Sequence, residues 1–208
     1  MYTLYWAESS GSFVTQIALR WVDAPHQITS VDLESGEHQT DEFFQLNPAG
    51  QLPTMVLPDG SILTETLATI LHLDMAYPDA GLIGKDAGEK SSAYRWLAFL
   101  ATRTYGHILR YYYSDRFSRN DMEGVQQLSA AAIDEDFKII ETALDGQTTL
   151  SGSSLTIADV YLVMIAAWSP SLDKLMESSP NVARLWNQTI ESNAVAAVWA
   201  ENFPELQT

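Results

Sequence analysis

The 208-residue sequence predicts an α+β protein of two domains, a small mixed domain at residues 1–78 and an all-α helical bundle at residues 86–208. Strand and helix patterns alternate over the first third of the chain, in the order β-α-β-α-β-β-α. Strand patterns then stop at a stretch rich in proline and glycine that begins at Tyr77-Pro78. Beyond it, apolar residues recur only at helical spacing. Helices that follow a mixed sheet in this way are typical of a two-domain α+β chain.

Alternation and helical spacing define the elements of the first domain. Breaks at Asp23-Ala24-Pro25 and at Asn47–Gly50 end its first two helices. The predicted strands are Tyr2–Trp6, Gln27–Leu33, Thr54–Leu57 and Ser61–Thr64, and the predicted helices begin near Phe13, Asp41 and Leu67.

Five apolar stripes at helical spacing predict the helices of the second domain. They lie at residues 96–111, 133–144, 157–168, 182–186 and 194–199. The third stripe is preceded by Thr-x-x-Asp, a variant of the capping box with Thr156 at the N-cap and Asp159 three residues later. Leu155 and Val160 have the spacing of a hydrophobic staple around it. We interpret Asp159 as a structural residue, and a catalytic acid is the alternative.

The composition restricts the partners and the chemistry of the protein. Acidic residues number 27 and basic residues 11, which gives a formal net charge of −16. This charge repels phosphate backbones and anionic lipid surfaces, so we expect neither nucleic acid nor a membrane as a partner. The chain has no cysteine, which excludes disulfides, thiolate metal sites and a thiol nucleophile of the protein itself.

We expect a cytoplasmic protein without a metal site. The N-terminal stretch MYTLYWAESS lacks the basic region and the long apolar run of a targeting segment. The longest apolar run, Val160 to Trp168, is too short to cross a bilayer as a helix. The four histidines have no mutual spacing that suggests a metal site.

Two short motifs of the first domain stand out from the pattern of strands and helices. Pro53 precedes a predicted strand, and a proline belongs at such a first position because it has no N–H to donate to a sheet. Glu65-Thr66 opens the third helix. One interpretation of this pair is a helix cap, with Thr64 at the N-cap. The other is a site for the free end of an amino acid, since N–H groups at a helix start bind carboxylate and an acid accepts from ammonium.

Taken together, these motifs resemble the cytosolic glutathione transferases. The resemblance rests on Gln51-Leu52-Pro53, on Glu65-Thr66 and on the Thr156–Asp159 box, in this order and spacing along nearly the whole chain. It implies a thioredoxin-like N-terminal domain, an all-α C-terminal domain, glutathione as co-substrate and a homodimer. Thr66 stands where the family most often has serine, and this change retains a hydroxyl.

The resemblance also implies roles for the residues of the first domain. Pro53 would be cis, so that the backbone of Leu52 turns toward the ligand and pairs with the cysteinyl part of glutathione, as in strand addition. Glu65, Thr66 and Gln51 would meet its γ-glutamyl end.

The group that activates the glutathione thiol is left open by the sequence. In the serine-using, theta-like and zeta-like classes of the family the active serine falls on Ser9, and Ser10 is the second candidate. The cysteine of the bacterial beta-like class would fall on Gly11, so that mechanism is absent. Tyr5 is the alternative by analogy with the tyrosine-using classes, and capping alone is a further interpretation of the serines.

The second substrate is expected to be a small apolar electrophile, held against the helix that opens the second domain. Tyr105, Tyr112 and Trp168 are the candidate pocket residues, and core packing is the alternative for them. The run Tyr111–Tyr113 cannot face inward as a whole, because successive helical residues point about 100° apart. The predicted function is therefore glutathione conjugation. A glutathione-dependent isomerase, lyase or peroxidase, or a non-catalytic binding protein on the same fold, remains the alternative.

Overall fold

A computed structural model describes residues 1–206, which fold into two compact units. The first unit holds Met1–Leu82 together with the segment from Glu191 onward, and the second unit holds Ile83–Ile190. The change from one unit to the next at Leu82 lies in the stretch between the two predicted domains. The predicted division assigns the segment from Glu191 onward to the second domain, whereas the structure groups it with the first unit.

The first unit is built on a mixed four-stranded sheet in the order β2-β1-β3-β4. The strands are β1 (Tyr2–Trp6), β2 (His26–Ser30), β3 (Thr54–Val56) and β4 (Ile62–Thr64). β1 pairs parallel with β2 and antiparallel with β3, and β3 pairs antiparallel with β4. The β-α-β-α-β-β-α order is confirmed, and with it the thioredoxin-like N-terminal domain.

Three helices cover the two faces of this sheet: α1 (Ser12–Trp21), α2 (Asp41–Leu46) and α3 (Thr66–Ala76). α1 and α3 pack together, and a buried hydrogen bond of 2.7 Å joins the hydroxyls of Thr15 and Thr69 between them. The Tyr2 hydroxyl lies 3.2 Å from His72 of α3, whereas Tyr5 packs edge-on against Phe43 of α2. Since strand residues alternate between faces, α1 and α3 lie on one face and α2 on the other.

The second unit contains helices only among its elements, which confirms the predicted all-α domain. They are α4 (Ala87–Phe99), α5 (Tyr105–Tyr112), α6 (Met122–Ala143), α7 (Ile157–Ala167), α8 (Leu172–Ser178) and α9 (Pro180–Ile190). A π-helical turn, Leu100–Thr104, joins α4 to α5, so the predicted long helix is one continuous rod with a local change of pitch. α7 is buried over nearly its whole length and forms the centre of this core. The short α8 was not predicted.

Asp159 closes the capping box at the start of α7 and is fully buried. Its carboxylate accepts hydrogen bonds from the N–H of Thr156 and the N–H of Leu150, both at 2.8 Å, and from the Thr156 hydroxyl at 3.2 Å. Burial raises the pKa of Asp159 to about 6, against these hydrogen bonds, which lower it. The structural interpretation of Asp159 agrees with these contacts.

The C-terminal helix α10 (Ala196–Asn202) packs on α1 in the first unit. Phe13 of α1 meets the rings of Trp199 and Phe203 edge-on, at centroid distances of 5.8 and 5.3 Å. The fully buried Asn202 side chain accepts a hydrogen bond from the Trp6 indole at 3.1 Å and donates to the side-chain oxygen Oε1 of Gln16 at 3.1 Å. Asn202 thus ties the C-terminal segment to β1 and α1.

Neither a membrane-spanning helix nor a cluster of metal ligands occurs among the residues that the structure describes. Among residues 1–206, no helix combines the length and the apolar character needed to cross a bilayer. The same residues contain no group of three or more histidine, aspartate or glutamate side chains arranged to hold a metal ion.

Replacing Asp159 by asparagine should make stability less dependent on pH. The pKa of Asp159 is raised on folding from 3.8 to about 6, so its contribution is present at low pH and is lost as the pH rises through the folded value. The measured quantity is the difference between the unfolding free energies of the wild type and of Asp159→Asn. When the pH is lowered from about 7.5 to about 5, we expect this difference to rise by about 1–2 kcal/mol in favour of the wild type. Urea unfolding at the two pH values measures it. The exposed Asp173→Asn is the control, and an equal pH response of Asp159→Asn and wild type would contradict the assignment.

Replacing Asn202 by alanine should destabilise the protein because it leaves the Trp6 indole and Gln16 without their buried partner. We expect a loss of about 2–4 kcal/mol in unfolding free energy, measured by urea unfolding followed by tryptophan fluorescence. Asn193→Ala, an exposed change in the same segment, is the matched control. If both variants lose less than about 0.5 kcal/mol, Asn202 is not an anchor.

Candidate functional site

The starts of α1 and α3 meet beside the loop that leads into β3. The Thr66 hydroxyl, at the first residue of α3, donates a hydrogen bond of 3.1 Å to the carbonyl of Gly11, the N-cap of α1. A Cβ atom added at Gly11 would lie 3.4 Å from the Leu52 carbonyl oxygen and 3.5 Å from Cδ of Pro53. The structure therefore brings three predicted site residues, Leu52, Pro53 and Thr66, together around one glycine.

The loop before β3 presents an unpaired piece of backbone. The Leu52–Pro53 peptide bond is cis, the isomer that the resemblance implies. Neither the N–H nor the C=O of Leu52 has a hydrogen-bond partner within residues 1–206. Leu52 is half-buried. It therefore offers one donor and one acceptor of the kind that an extended peptide uses to add a strand.

Residues behind this loop hold it in place. The Asn47 side chain donates to the Gln51 carbonyl at 2.8 Å and to the Thr54 hydroxyl at 3.1 Å. The Thr54 hydroxyl donates to the same Gln51 carbonyl at 2.9 Å, and the Gln39 amide donates to the Gly50 carbonyl at 3.0 Å. These contacts use the Gln51 carbonyl and leave its exposed side chain toward solvent. Sequence reasoning did not identify the supporting roles of Gln39 and Asn47, because polar loop residues have no periodicity.

Glu65 is the N-cap of α3 and has an unusual backbone conformation. Its φ of 70° and ψ of 118° lie outside the regions that non-glycine residues favour. The side chain makes no capping hydrogen bond and is exposed, so the alternative with Thr64 as an ordinary cap is not what the chain adopts. Strained backbone of this kind persists where the surroundings fix it, and it is often found at ligand sites.

Thr66 presents its backbone rather than its hydroxyl. The hydroxyl is engaged with Gly11, as described above. As the first residue of α3, Thr66 has an N–H without an intrahelical acceptor, and this N–H and those of the next two residues carry the positive end of the helix dipole. The carboxylate of Glu65 and these N–H groups provide acceptor and donor charge side by side.

Both predicted catalytic serines are hydrogen-bonded within the protein. The Ser9 hydroxyl donates to the carbonyl of Asn202 at 3.1 Å, and the Ser9 N–H donates to the same oxygen at 3.2 Å. The Ser10 hydroxyl donates to the Ala7 carbonyl at 2.8 Å and accepts from the Ser12 N–H at 3.2 Å. The Ser10 hydroxyl is therefore used within the loop and satisfies the N–H of Ser12, the first residue of α1. The bond of Ser9 to Asn202, 193 residues away, could not be found from the sequence.

Tyr5 lies on the opposite face of the sheet from the start of α1. It packs against Phe43 of α2 at a centroid distance of 5.9 Å. The neighbouring Trp6 points to the other face, where its indole reaches Asn202. This arrangement separates Tyr5 from the loop that contains Ser9.

The predicted pocket aromatics of the second unit line one side of α5. Tyr105 stacks on Trp168 of the segment after α7, with centroids 5.5 Å apart and an angle of 24° between the rings. Tyr112 is seven residues after Tyr105 and so lies on the same face of the helix. Tyr112 and Tyr113 are exposed, which confirms that the tyrosine run does not face inward as a whole.

The other side of α5 carries a polar cluster around one buried carboxylate. Asp136 of α6 is fully buried and binds Nδ1 of His107 at 2.9 Å and Nε of Arg103 at 2.5 Å. This cluster joins α5 and the π-helical turn to α6. The sequence did not predict it, because Asp136 occupies an ordinary position in an amphipathic stripe.

Two domain models of one protein family match the chain. The glutathione S-transferase N-terminal domain matches residues 9–76, and the glutathione S-transferase C-terminal domain matches residues 103–193.

Relatives and solved structures extend this likeness over most of the chain. Glutathione S-transferase GstA of Escherichia coli O157:H7 is 25% identical over 190 residues, which are 90% of this chain and 92% of that protein. Glutathione S-transferase D7 of Drosophila melanogaster is 25% identical over 178 residues, 78% of this chain and 76% of that protein. The crystal structure of a glutathione transferase homologue from Sulfitobacter with bound glutathione aligns at 23% identity over 97% of this chain and 98% of that chain, with a TM-score of 0.87. Since the two domain models match most of the chain and the fold agrees, the protein belongs to the glutathione S-transferase family.

Proposed function

We propose that this protein binds reduced glutathione and conjugates it to a small apolar electrophile. The observation that carries the proposal is the unpaired backbone of Leu52 beside the adjacent starts of α1 and α3. Glutathione is a peptide with a thiol in its middle and a free amino-acid end. A backbone donor and acceptor, a carboxylate and a set of free helical N–H groups match those parts in kind.

Each part of glutathione has a proposed partner. The cysteinyl N–H and C=O pair with the Leu52 backbone, next to Pro53. The γ-glutamyl ammonium donates to the Glu65 carboxylate, and the γ-glutamyl carboxylate accepts from the Thr66 N–H and from the Gln51 side chain. This assignment moves the predicted contact of Thr66 from its hydroxyl to its N–H, because the hydroxyl already donates to Gly11.

The thiol is activated at the start of α1. A cysteine-like thiol has a pKa of about 8.5, so it reacts near neutral pH only where its thiolate is stabilised. In our proposal the Ser9 hydroxyl exchanges its acceptor, the Asn202 carbonyl, for the thiolate sulfur by rotation about its Cα–Cβ bond. The positive end of the α1 dipole adds to this stabilisation. Ser10 is the second candidate, although its hydroxyl already bonds to the Ala7 carbonyl and the Ser12 N–H.

The transfer step is a nucleophilic attack by the thiolate sulfur on an electrophilic carbon. The leaving group departs with the bonding electron pair, and the thiol proton is released to solvent. Tyr105, Tyr112 and Trp168 are the proposed apolar contacts of the electrophile. Catalysis then comes from thiolate stabilisation and from proximity.

Two other functions would use the same ligand site, one catalytic and one not. A glutathione-dependent isomerase, lyase or peroxidase would use the same thiolate on a different acceptor, and a non-catalytic protein would bind glutathione without turning it over. Retention on immobilised glutathione followed by a conjugation assay separates these functions. We also propose a homodimer in the cytoplasm, and the mass at micromolar concentration in sedimentation equilibrium tests the dimer.

Replacing Glu65 by glutamine should weaken glutathione binding by about one to two decades in Kd, because a charged hydrogen bond contributes about 1.5–3 kcal/mol. Isothermal titration calorimetry measures this change, and Glu42→Gln, an exposed acid in the first turn of α2, is the control. Equal affinity of Glu65→Gln and Glu42→Gln would remove Glu65 from the site.

Replacing Ser9 by alanine should raise the pKa of the bound thiol and lower kcat, and it should leave glutathione affinity nearly unchanged at a pH where the bound thiol is protonated. The ultraviolet absorbance of the bound thiolate, followed against pH, reports the thiol pKa. Ser10→Ala is the comparison, and it should change stability more than the thiol pKa. If Ser9→Ala changes none of these quantities while Tyr5→Phe abolishes turnover, the tyrosine alternative is correct.

A further inference from the structure

The end of α5 and the turn that follows it carry a cluster of exposed arginine and aromatic side chains. We call it the basic aromatic patch, and it consists of Arg110, Tyr113, Arg116, Phe117 and Arg119. Tyr113 and Phe117 are 43% and 51% exposed. Apolar rings at this exposure beside arginines indicate a surface that can accept a planar ligand.

The charge of this stretch contrasts with the rest of the chain. Residues 103–119 contain four of the 11 basic residues and one acid, Asp115, whereas the whole chain has a net charge of −16. A local group of positive charge in a strongly acidic protein attracts small anions. It is poorly suited to a large polyanion, because the surrounding acidic surface repels one.

The arginines of the patch have no acidic partner. Within residues 1–206, Arg110, Arg116 and Arg119 form no ion pair and no hydrogen bond through their guanidinium groups. Arg20 and Arg103, by contrast, pair with Glu201 and Asp136. In a chain with more than twice as many acids as bases, this leaves three cations within residues 110–119 available to a ligand.

Two of these guanidinium groups are oriented by aromatic rings. The guanidinium carbon Cζ of Arg116 lies 4.1 Å from the ring centroid of Tyr113, and Cζ of Arg110 lies 5.3 Å from the ring centroid of Phe117. An arginine stacked by its face keeps its N–H edges free, and those edges match the two oxygens of a carboxylate or sulfonate. The rings beside them offer an apolar surface for the body of the same ligand.

We propose that the basic aromatic patch binds the acidic group of a small aromatic acid, and that the second substrate is an aryl electrophile that carries a carboxylate or sulfonate. The reaction part of this inference rests on the proposed function, whereas the binding part does not. Tyr113 of the patch directly follows Tyr112, a proposed contact of the electrophile, whereas Arg110 lies on the side of α5 that carries Arg103. The ring of the ligand would lie against Tyr112 and Tyr113 while its acidic group reaches Arg116, and Arg110 would add positive charge beside it.

A matched pair of nitroaromatic compounds tests the binding part without glutathione. We expect 3-nitrobenzoate to bind the wild-type protein about tenfold more tightly than the neutral 3-nitrobenzamide in calorimetric titrations, as a charged hydrogen bond predicts. The double variant Arg110→Gln/Arg116→Gln should lose this preference. Arg95→Gln is the matched control, because Arg95 also stacks on an aromatic ring, Trp96, at 4.2 Å but lies on α4. Added salt should reduce the preference in the wild type.

Equal binding of the two compounds by the wild type, or a preference that survives in the double variant, would overturn the inference. Loss of the preference in Arg95→Gln would also overturn the inference, because the preference would then reflect the overall charge of the protein and not this patch.

The reaction part uses 4-chloro-3-nitrobenzoate and the corresponding amide with glutathione. The thiolate sulfur attacks the carbon that carries chlorine, and chloride leaves with the bonding pair while the thiol proton goes to water. We expect a higher kcat/KM for the acid than for the amide, relative to their uncatalysed rates, and no such difference in the double variant. Equal values in the wild type would contradict the acidic substrate class. Binding of 3-nitrobenzoate without any conjugation would instead contradict the proposed function and leave the binding patch intact.

Discussion

The hydrogen bond from the Thr66 hydroxyl to the Gly11 carbonyl is the contact on which the candidate site depends. It holds the starts of α1 and α3 together, so that two helix dipoles point their positive ends toward the same region. Gly11 has no side chain, and a Cβ atom at this position would lie 3.4 Å from the Leu52 carbonyl oxygen. The glycine therefore keeps the space beside the unpaired Leu52 backbone open. Threonine in place of the family's usual serine retains this hydroxyl, and its extra methyl group is accommodated in a buried position.

The C-terminal segment adds a second constraint, on the loop that contains Ser9. The Asn202 carbonyl accepts from both the N–H and the hydroxyl of Ser9, while the Asn202 side chain engages Trp6. The loop is thus fixed before any ligand binds. A serine hydroxyl that already has an acceptor must give it up to reach a thiolate, so the gain in thiolate stabilisation is reduced by the loss of that bond. In the proposed mechanism, the pKa of the bound thiol would therefore depend on α10 as well as on α1.

Local pattern was sufficient for much of the fold and for little of the site. β1 and α2 have the predicted bounds, Tyr2–Trp6 and Asp41–Leu46, because strand-forming residues and clear stop signals define them. The π-helical turn at Leu100–Thr104 and the partner of Ser9 were missed, since the first keeps helical spacing and the second lies at the far end of the chain. The strain at Glu65 has no sequence signal, because glutamate normally avoids positive φ.

A crystal structure of the protein soaked with reduced glutathione would show where the ligand binds and which groups contact it. In the expected arrangement, the cysteinyl N–H and C=O form hydrogen bonds with the backbone of Leu52, the γ-glutamyl end reaches Glu65 and the N–H of Thr66, and the sulfur lies next to the Ser9 loop. Glutathione bound elsewhere, or bound there with the Leu52 backbone still unpaired, would contradict it.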